Sequence, residues 1–463
     1  MIGALVAAAA VAAAPAGHDW TRFGYSAARP SAASFATGIT AANASQLQRQ
    51  RVDLDGTVDS SPIYLHGVTI GGAKHDAFFV TTTYGRTLAI DAASGRTLWR
   101  HTPPGYSSWA GSYRITNATP VADPGRAAIY TASPDGRVHK LRVADGGEVW
   151  TRAITLFPQR EKIAAALNYS HGRVIATTGG YVGDAPPYQG HVVTLRPSTG
   201  GIAHVWNSLC SNRRRLIVPS SCGSSDSAIW ARAGAVVEPG NGRLLVATGN
   251  GPWNGRTDWG DSVLELSPDA SRLVQNWTPR NQAELERDDA DLGSSAPALL
   301  GGGLAVQGGK DGKLRLLNLL RLNGTRRAGP RLGGELQTLP LPGGDEHLFT
   351  APAVWRRGRT TWVFVGNNSA TAAYRLVGRR LRKVWESSAG GTSPVVAGGL
   401  VYVYDPDGGL RIYRPSSARP VATLPAGSGH WNSPIVVDGR VALPEGDAND
   451  HRQSGILDIY RLP

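Results

Sequence analysis

A small or hydroxyl-bearing residue followed by proline and then an apolar run recurs at Pro62, Pro120, Pro297, Pro352, Pro394 and Pro434. The spacings are 58, 177, 55, 42 and 40 residues, and the long gap equals three steps of 59. Two further copies fit inside it, near Ile163 to Trp206 and Ile229 to Trp277, which makes eight. The clearest copy runs Ser61-Pro62-Ile63-Tyr64, Phe78-Phe79-Val80, Tyr84-Gly85-Arg86, Leu88 to Asp91, Ser94-Gly95 and Leu98-Trp99. Apolar runs of strand length separated by glycine turns read as a four-stranded meander. With 58 glycines and 30 prolines in 463 residues, against roughly 12% of both in an ordinary chain, long helices are excluded.

A four-stranded unit alone leaves both faces and its edges unprotected. Eight units set radially bury those faces against each other, so the fold expected is all-β, an eight-bladed β-propeller of four-stranded antiparallel blades. The last copy ends at Ile459 to Leu462 without a fourth strand, and Gln50 to Leu54 is expected to supply it and close the ring. Trp99, Trp150, Trp206, Trp277 and Trp385 recur at the outer strand. They read as inter-blade packing residues whose indole N–H groups find backbone acceptors. Leu339 or Leu424 takes that place in blades without Trp.

The net charge of +13 rests on 48 Lys and Arg, of which only six are Lys. The basic clusters are short, scattered and free of interleaved aromatics, so a nucleic-acid partner is not expected. Ile2 to Ala14 is too short to span a bilayer but suits the apolar part of a secretion signal, with Ala14-Pro15-Ala16 as a cleavage site. Residues 1–17 are therefore read as a signal peptide and 18–463 as a single propeller, secreted or periplasmic, monomeric and without a transmembrane segment. In an oxidising compartment Cys210 and Cys222, the only cysteines, are expected to pair.

The Asp-x-x-Ser-Gly-x-x-x-Trp segment from Asp91 to Trp99 resembles the tryptophan-docking repeat of the quinoprotein alcohol dehydrogenase-like superfamily. Many of these eight-bladed propellers bind pyrroloquinoline quinone (PQQ). The similarity covers the mature chain, including Asp19 to Gly24 and Ile39 to Asn43, and is densest from Ile229 to Gly312. It implies that Trp230 is the floor under the quinone and Asn250 a calcium ligand. It also implies that Asp291 (with Asp289 nearby) is the catalytic base and a second metal-site residue, and that Lys310 pairs with the quinone oxygens. The chemistry is coherent: a hard cation polarises a carbonyl through oxygen ligands, and a carboxylate takes the hydroxyl proton.

Two features depart from the family. The blade-three segment Thr178 to Gly183, where the acidic calcium ligand is expected, has no carboxylate before Asp184. Tyr113 to Ala118 carries no adjacent cysteines, and no Cys-x-x-Cys-His haem motif occurs. Each matched residue also has a plain alternative: core packing for Trp230, turn chemistry for Asn250, a turn cap for Asp291 and a solvated hairpin for Lys310. Asp261 either orients backbone N–H groups or lines the site. His430-Trp431-Asn432 precedes blade eight near the channel mouth. The expectation is a central site in blades two to five that oxidises an alcohol or sugar hydroxyl with PQQ and Ca²⁺. A small-molecule substrate or electron acceptor is its partner. The alternative is a non-catalytic scaffold that binds a protein or a cell-wall polymer.

Overall fold

The computed structural model describes residues 17–322 and 332–463. All but the last residue of the expected leader lie outside these. Eight four-stranded antiparallel sheets follow one another around an axis. Blade one comprises Ile63–Ile70, Ala73–Thr81, Thr87–Asp91 and Thr97–His101, and blade two comprises Val121–Ala122, Ala128–Ser133, Arg137–Arg142 and Glu148–Ala153. The remaining blades open at Asn168, Val236, Ala298, Ala353, Val395 and Ile435. First strands of neighbouring blades touch, so the first strand of each blade is innermost.

The ring closes as expected, with a slightly longer strand. Gln48–Leu54 pairs antiparallel with Gly455–Arg461, from Gln48 opposite Arg461 to Leu54 opposite Gly455. Between blades, Trp99 packs on the turn of blade two. A Cβ on Gly146 would lie 2.5 Å from its ring, so glycine is needed there. Its indole N–H donates to the Val143 carbonyl at 2.8 Å, and Trp150 and Trp385 donate in the same way to Pro197 and Pro415. Trp277 departs from the pattern. Its N–H has no partner among the described residues, and the Arg315 guanidinium sits 5.7 Å above its ring instead.

One end of the channel is covered by the segment from His18 to Ala33. Its backbone bonds Tyr64 of blade one and Ala122 of blade two, then Val237, Val354 and Val396 of blades four, six and seven. Arg29 is buried in this plug and donates to the carbonyls of Phe23 and Leu167. These bonds occupy inner-strand groups that would otherwise be buried without partners. Cys210 and Cys222 are disulfide-bonded. No helix of the described residues is long and apolar enough to cross a membrane.

Candidate functional site

The opposite end of the axis holds a cavity of about 250 Å³ whose walls include Trp230, Asp291, Lys310, Lys162, Phe349 and Trp431. Its aromatic wall is a triangle: the ring centroids of Trp230, Phe349 and Trp431 lie 5.7 to 6.1 Å apart. Such a wall favours a flat ligand.

Asp291 is buried at the head of a short turn, Leu292–Ser294. Asp261 fixes that turn by accepting the Leu292 N–H at 3.0 Å. Glycine at 249 is required, because a Cβ there would lie 2.0 Å from Asp291 Oδ1. That oxygen accepts the Asn250 N–H at 2.9 Å, and Oδ2 meets the Lys310 ammonium at 2.5 Å. Burial raises the Asp291 pKa above the ordinary carboxylate value, and the Lys310 charge only partly opposes it. Burial would lower the Lys310 pKa, but the charge of Asp291 more than offsets it and holds the ammonium firmly protonated. Lys310 also lies 5.6 Å over the Trp230 ring, a cation–π contact.

Three of the four residues singled out from the sequence thus meet in one cavity, and Asn250 does not join them. Its side chain is not among the cavity walls. Its backbone is held in both directions, by Asp291 and by the Ser227 N–H that its carbonyl accepts. Asn250 also lies outside the left-handed region, so turn tolerance does not explain it either. Asp261 takes the orienting role and stays out of the cavity; burial pushes its carboxyl well above the ordinary value. Asp184 reaches the cavity, where it accepts the Tyr188 hydroxyl at 2.9 Å, and burial raises its pKa as well.

The site is wider than blades two to five. Phe349 and Trp431 come from the lead-ins to blades six and eight, whose first strands lie innermost in the ring. Both stand three residues before a blade-opening proline, as do Asp59 and Asn117, so the signal was a shared offset from the repeat. Lys162 is a further cavity residue. It is buried, and among the described residues its ammonium has no hydrogen-bond partner; burial lowers its pKa to about 8. Its sequence signal was a Glu-Lys pair directly before the apolar run Ile163 to Leu167.

A PQQ_2 family profile described as "Outer membrane protein assembly factor BamB" matches residues 39–251. The quinohemoprotein alcohol dehydrogenase ADH IIB of Pseudomonas putida is 25% identical over 256 residues, 49% of this chain and 34% of that protein. The match thus spans about a third of the relative's length. The chain is an eight-bladed β-propeller similar to PQQ-like propellers. The PQQ-like fold is also that of a quinohemoprotein alcohol dehydrogenase from Comamonas testosteroni (TM-score 0.66, 17% identity, 96% of this chain and 80% of that one). A europium-containing methanol dehydrogenase superposes at 0.69 with 15% identity over 96% and 98% of the two chains. BamB from Moraxella catarrhalis superposes at 0.54 with 12% identity, covering 90% and 97%.

A planar, multiply anionic quinone fits the cavity's chemistry, which offers an aromatic wall, the ammonium of Lys310 and the unpartnered ammonium of Lys162. A calcium ion is matched less well. It takes six to eight oxygens, whereas Asp291 already holds a lysine on one oxygen and a backbone N–H on the other.

Proposed function

We propose that this PQQ-like propeller is an exported dehydrogenase that oxidises an alcohol or sugar hydroxyl with PQQ in the cavity beside Trp230. The observation that carries the reading is the convergence of Trp230, Asp291 and Lys310 on one cavity. When bound, the quinone supplies a two-electron acceptor for hydride. Trp230 sets the ring plane, and Lys162 and Lys310 meet the ligand's anionic oxygens. Asp291 accepts the proton of the substrate hydroxyl. Its raised pKa makes it a stronger base than an ordinary carboxylate, and its bond to Asn250 fixes the direction of the acceptor oxygen. Closure of one end of the channel by the His18 to Ala33 segment leaves the cavity end as the route of entry. The disulfide between Cys210 and Cys222 supports an oxidising compartment.

The test is a titration of the purified protein with PQQ, followed by tryptophan fluorescence, with and without calcium. Saturable quenching that Trp230→Ala removes supports the site, and an artificial electron acceptor then allows a screen of alcohols and sugars. The Asn250 and Asp291 calcium site is supported if binding requires the ion. No quenching at tens of micromolar PQQ, an affinity weaker than about −6 kcal/mol, favours a scaffold, the reading to which the BamB description of the matching profile points.

A further inference from the structure

Away from the axis, the seam between blades one and two gathers three ligand-type side chains that the quinone reading does not use. His101 ends the last strand of blade one, while His139 and Glu148 lie on the last two strands of blade two. One nitrogen from each His and one oxygen of Glu148 lie within 4.8 Å of one another. We propose that these residues form a binding site for a divalent transition-metal ion of the zinc type, joining blades one and two.

Hydrogen-bond accounting supports this assignment. Ser133 Oγ lies within hydrogen-bond distance of Asp135 Oδ1 and 2.6 Å from His139 Nε2. A hydroxyl has one proton to give, and the charged carboxylate is the stronger acceptor. The Ser133 proton therefore goes to Asp135, and His139 Nε2 must donate to Ser133. The other ring nitrogen, Nδ1, faces Glu148 Oε2 at 2.7 Å, an ionised oxygen with nothing to donate. Either a second proton on the imidazole or, with the two groups drawn apart from 2.7 Å, a metal ion stands between them.

His101 marks the same spot from the other blade. Its Nε2 is buried, has no hydrogen-bond partner among the described residues, and lies 3.7 Å from the same Glu148 oxygen. Ligands about 2.1 Å from a tetrahedral zinc ion are about 3.4 Å apart, so modest side-chain movement places all three around one ion. Two imidazoles and a carboxylate suit zinc and its neighbours rather than calcium or magnesium. The Ser133 hydroxyl behind His139 fixes the ring orientation, the usual task of an outer partner. Glu148 is about a quarter exposed, so the cluster is not sealed from solvent.

The experiment strips the full chain with a chelator and titrates it with Co²⁺, followed by visible absorption, and then with Zn²⁺ by calorimetry. The expected result is one ion per chain, tetrahedral cobalt bands, and affinity weakened at least about 100-fold in both His101→Ala and Glu148→Gln. Ser133→Ala is expected to weaken it by about 10- to 100-fold. The wild-type spectrum needs no variant, and thermal melts show whether each variant folds. The proposal is overturned by no saturable binding at 100 µM metal, or by binding that survives both substitutions. It is also overturned if nitrogen-15 spectra show His139 carrying both protons while added zinc leaves it unchanged, because the positive charge is then a proton.

Discussion

Asp59 and Asp291 are both buried aspartates beside the same aromatic triangle, yet their surroundings push them in opposite directions. Burial pushes the Asp59 carboxyl up, but it accepts from His430 Nδ1, the Trp431 N–H and the Asn117 amide, each at 2.9 Å, with the Arg232 charge nearby. Those donors outweigh burial and hold it below the ordinary carboxylate value. Asp291 has one lysine and one backbone N–H, and burial wins. An anion with surplus donors is part of the framework. An anion with too few is a base awaiting a proton, and only the second opens onto the cavity.

Substituting each aspartate sharpens that contrast. Asp291→Asn is expected to lower turnover of the quinone-loaded protein by about 10² to 10⁴, the usual contribution of a general base. PQQ binding by fluorescence should remain, and the melting temperature near neutrality should not fall. An unchanged rate would remove Asp291 from the chemistry. Asp59→Ala is expected to destabilise the fold by about 3–5 kcal/mol, because it strands the buried Arg232 and His430 without their anion. Urea denaturation measures this, and a loss below 1 kcal/mol would erase the distinction.

The two groups should also differ in how stability follows pH. The folded pKa of Asp59 lies below its unfolded value of about 3.9, so its stabilisation is complete above that value and lost as pH falls through the folded pKa. Asp291, raised in the fold, costs stability above its folded pKa and none below the unfolded one. Denaturation curves from pH 3 to 8 should therefore show Asp59→Ala flattening the acid limb and Asp291→Asn removing a penalty near neutrality. The smallest effect expected is that of Lys162→Met. Removing one charge-assisted contact should weaken PQQ binding about 10-fold or somewhat more, while the melting temperature rises because a buried unpartnered ammonium is gone. Unaltered affinity would place the ligand away from Lys162.

The fold was legible because its signals are local and repeat: Pro62, Pro120 and their counterparts open blades, and Gly146 exists to receive Trp99. Trp277 breaks the pattern: its N–H finds no acceptor among the described residues, and Arg315, from the next blade, lies over its ring. The site was half legible. Trp230, Asp291 and Lys310 lie in one stretch of chain, and their resemblance to known propellers marked them. Lys162, Phe349 and Trp431 come from blades up to 269 positions apart, and only closing the ring brings them together. Asn250 shows the converse: a matching letter whose backbone is held by Asp291 and Ser227 and which is not among the cavity walls.

Blade eight is completed by Gln48–Leu54, a strand synthesised long before its partner Gly455–Arg461. During synthesis that early segment waits with its hydrogen-bonding edge bare until some four hundred later residues have emerged. Ring closure is thus a long-range event, slow in the way high-contact-order pairings are slow. Once made, the clasp ties the last strand of the chain to one near its start, so neither strand can peel away without opening the whole circle.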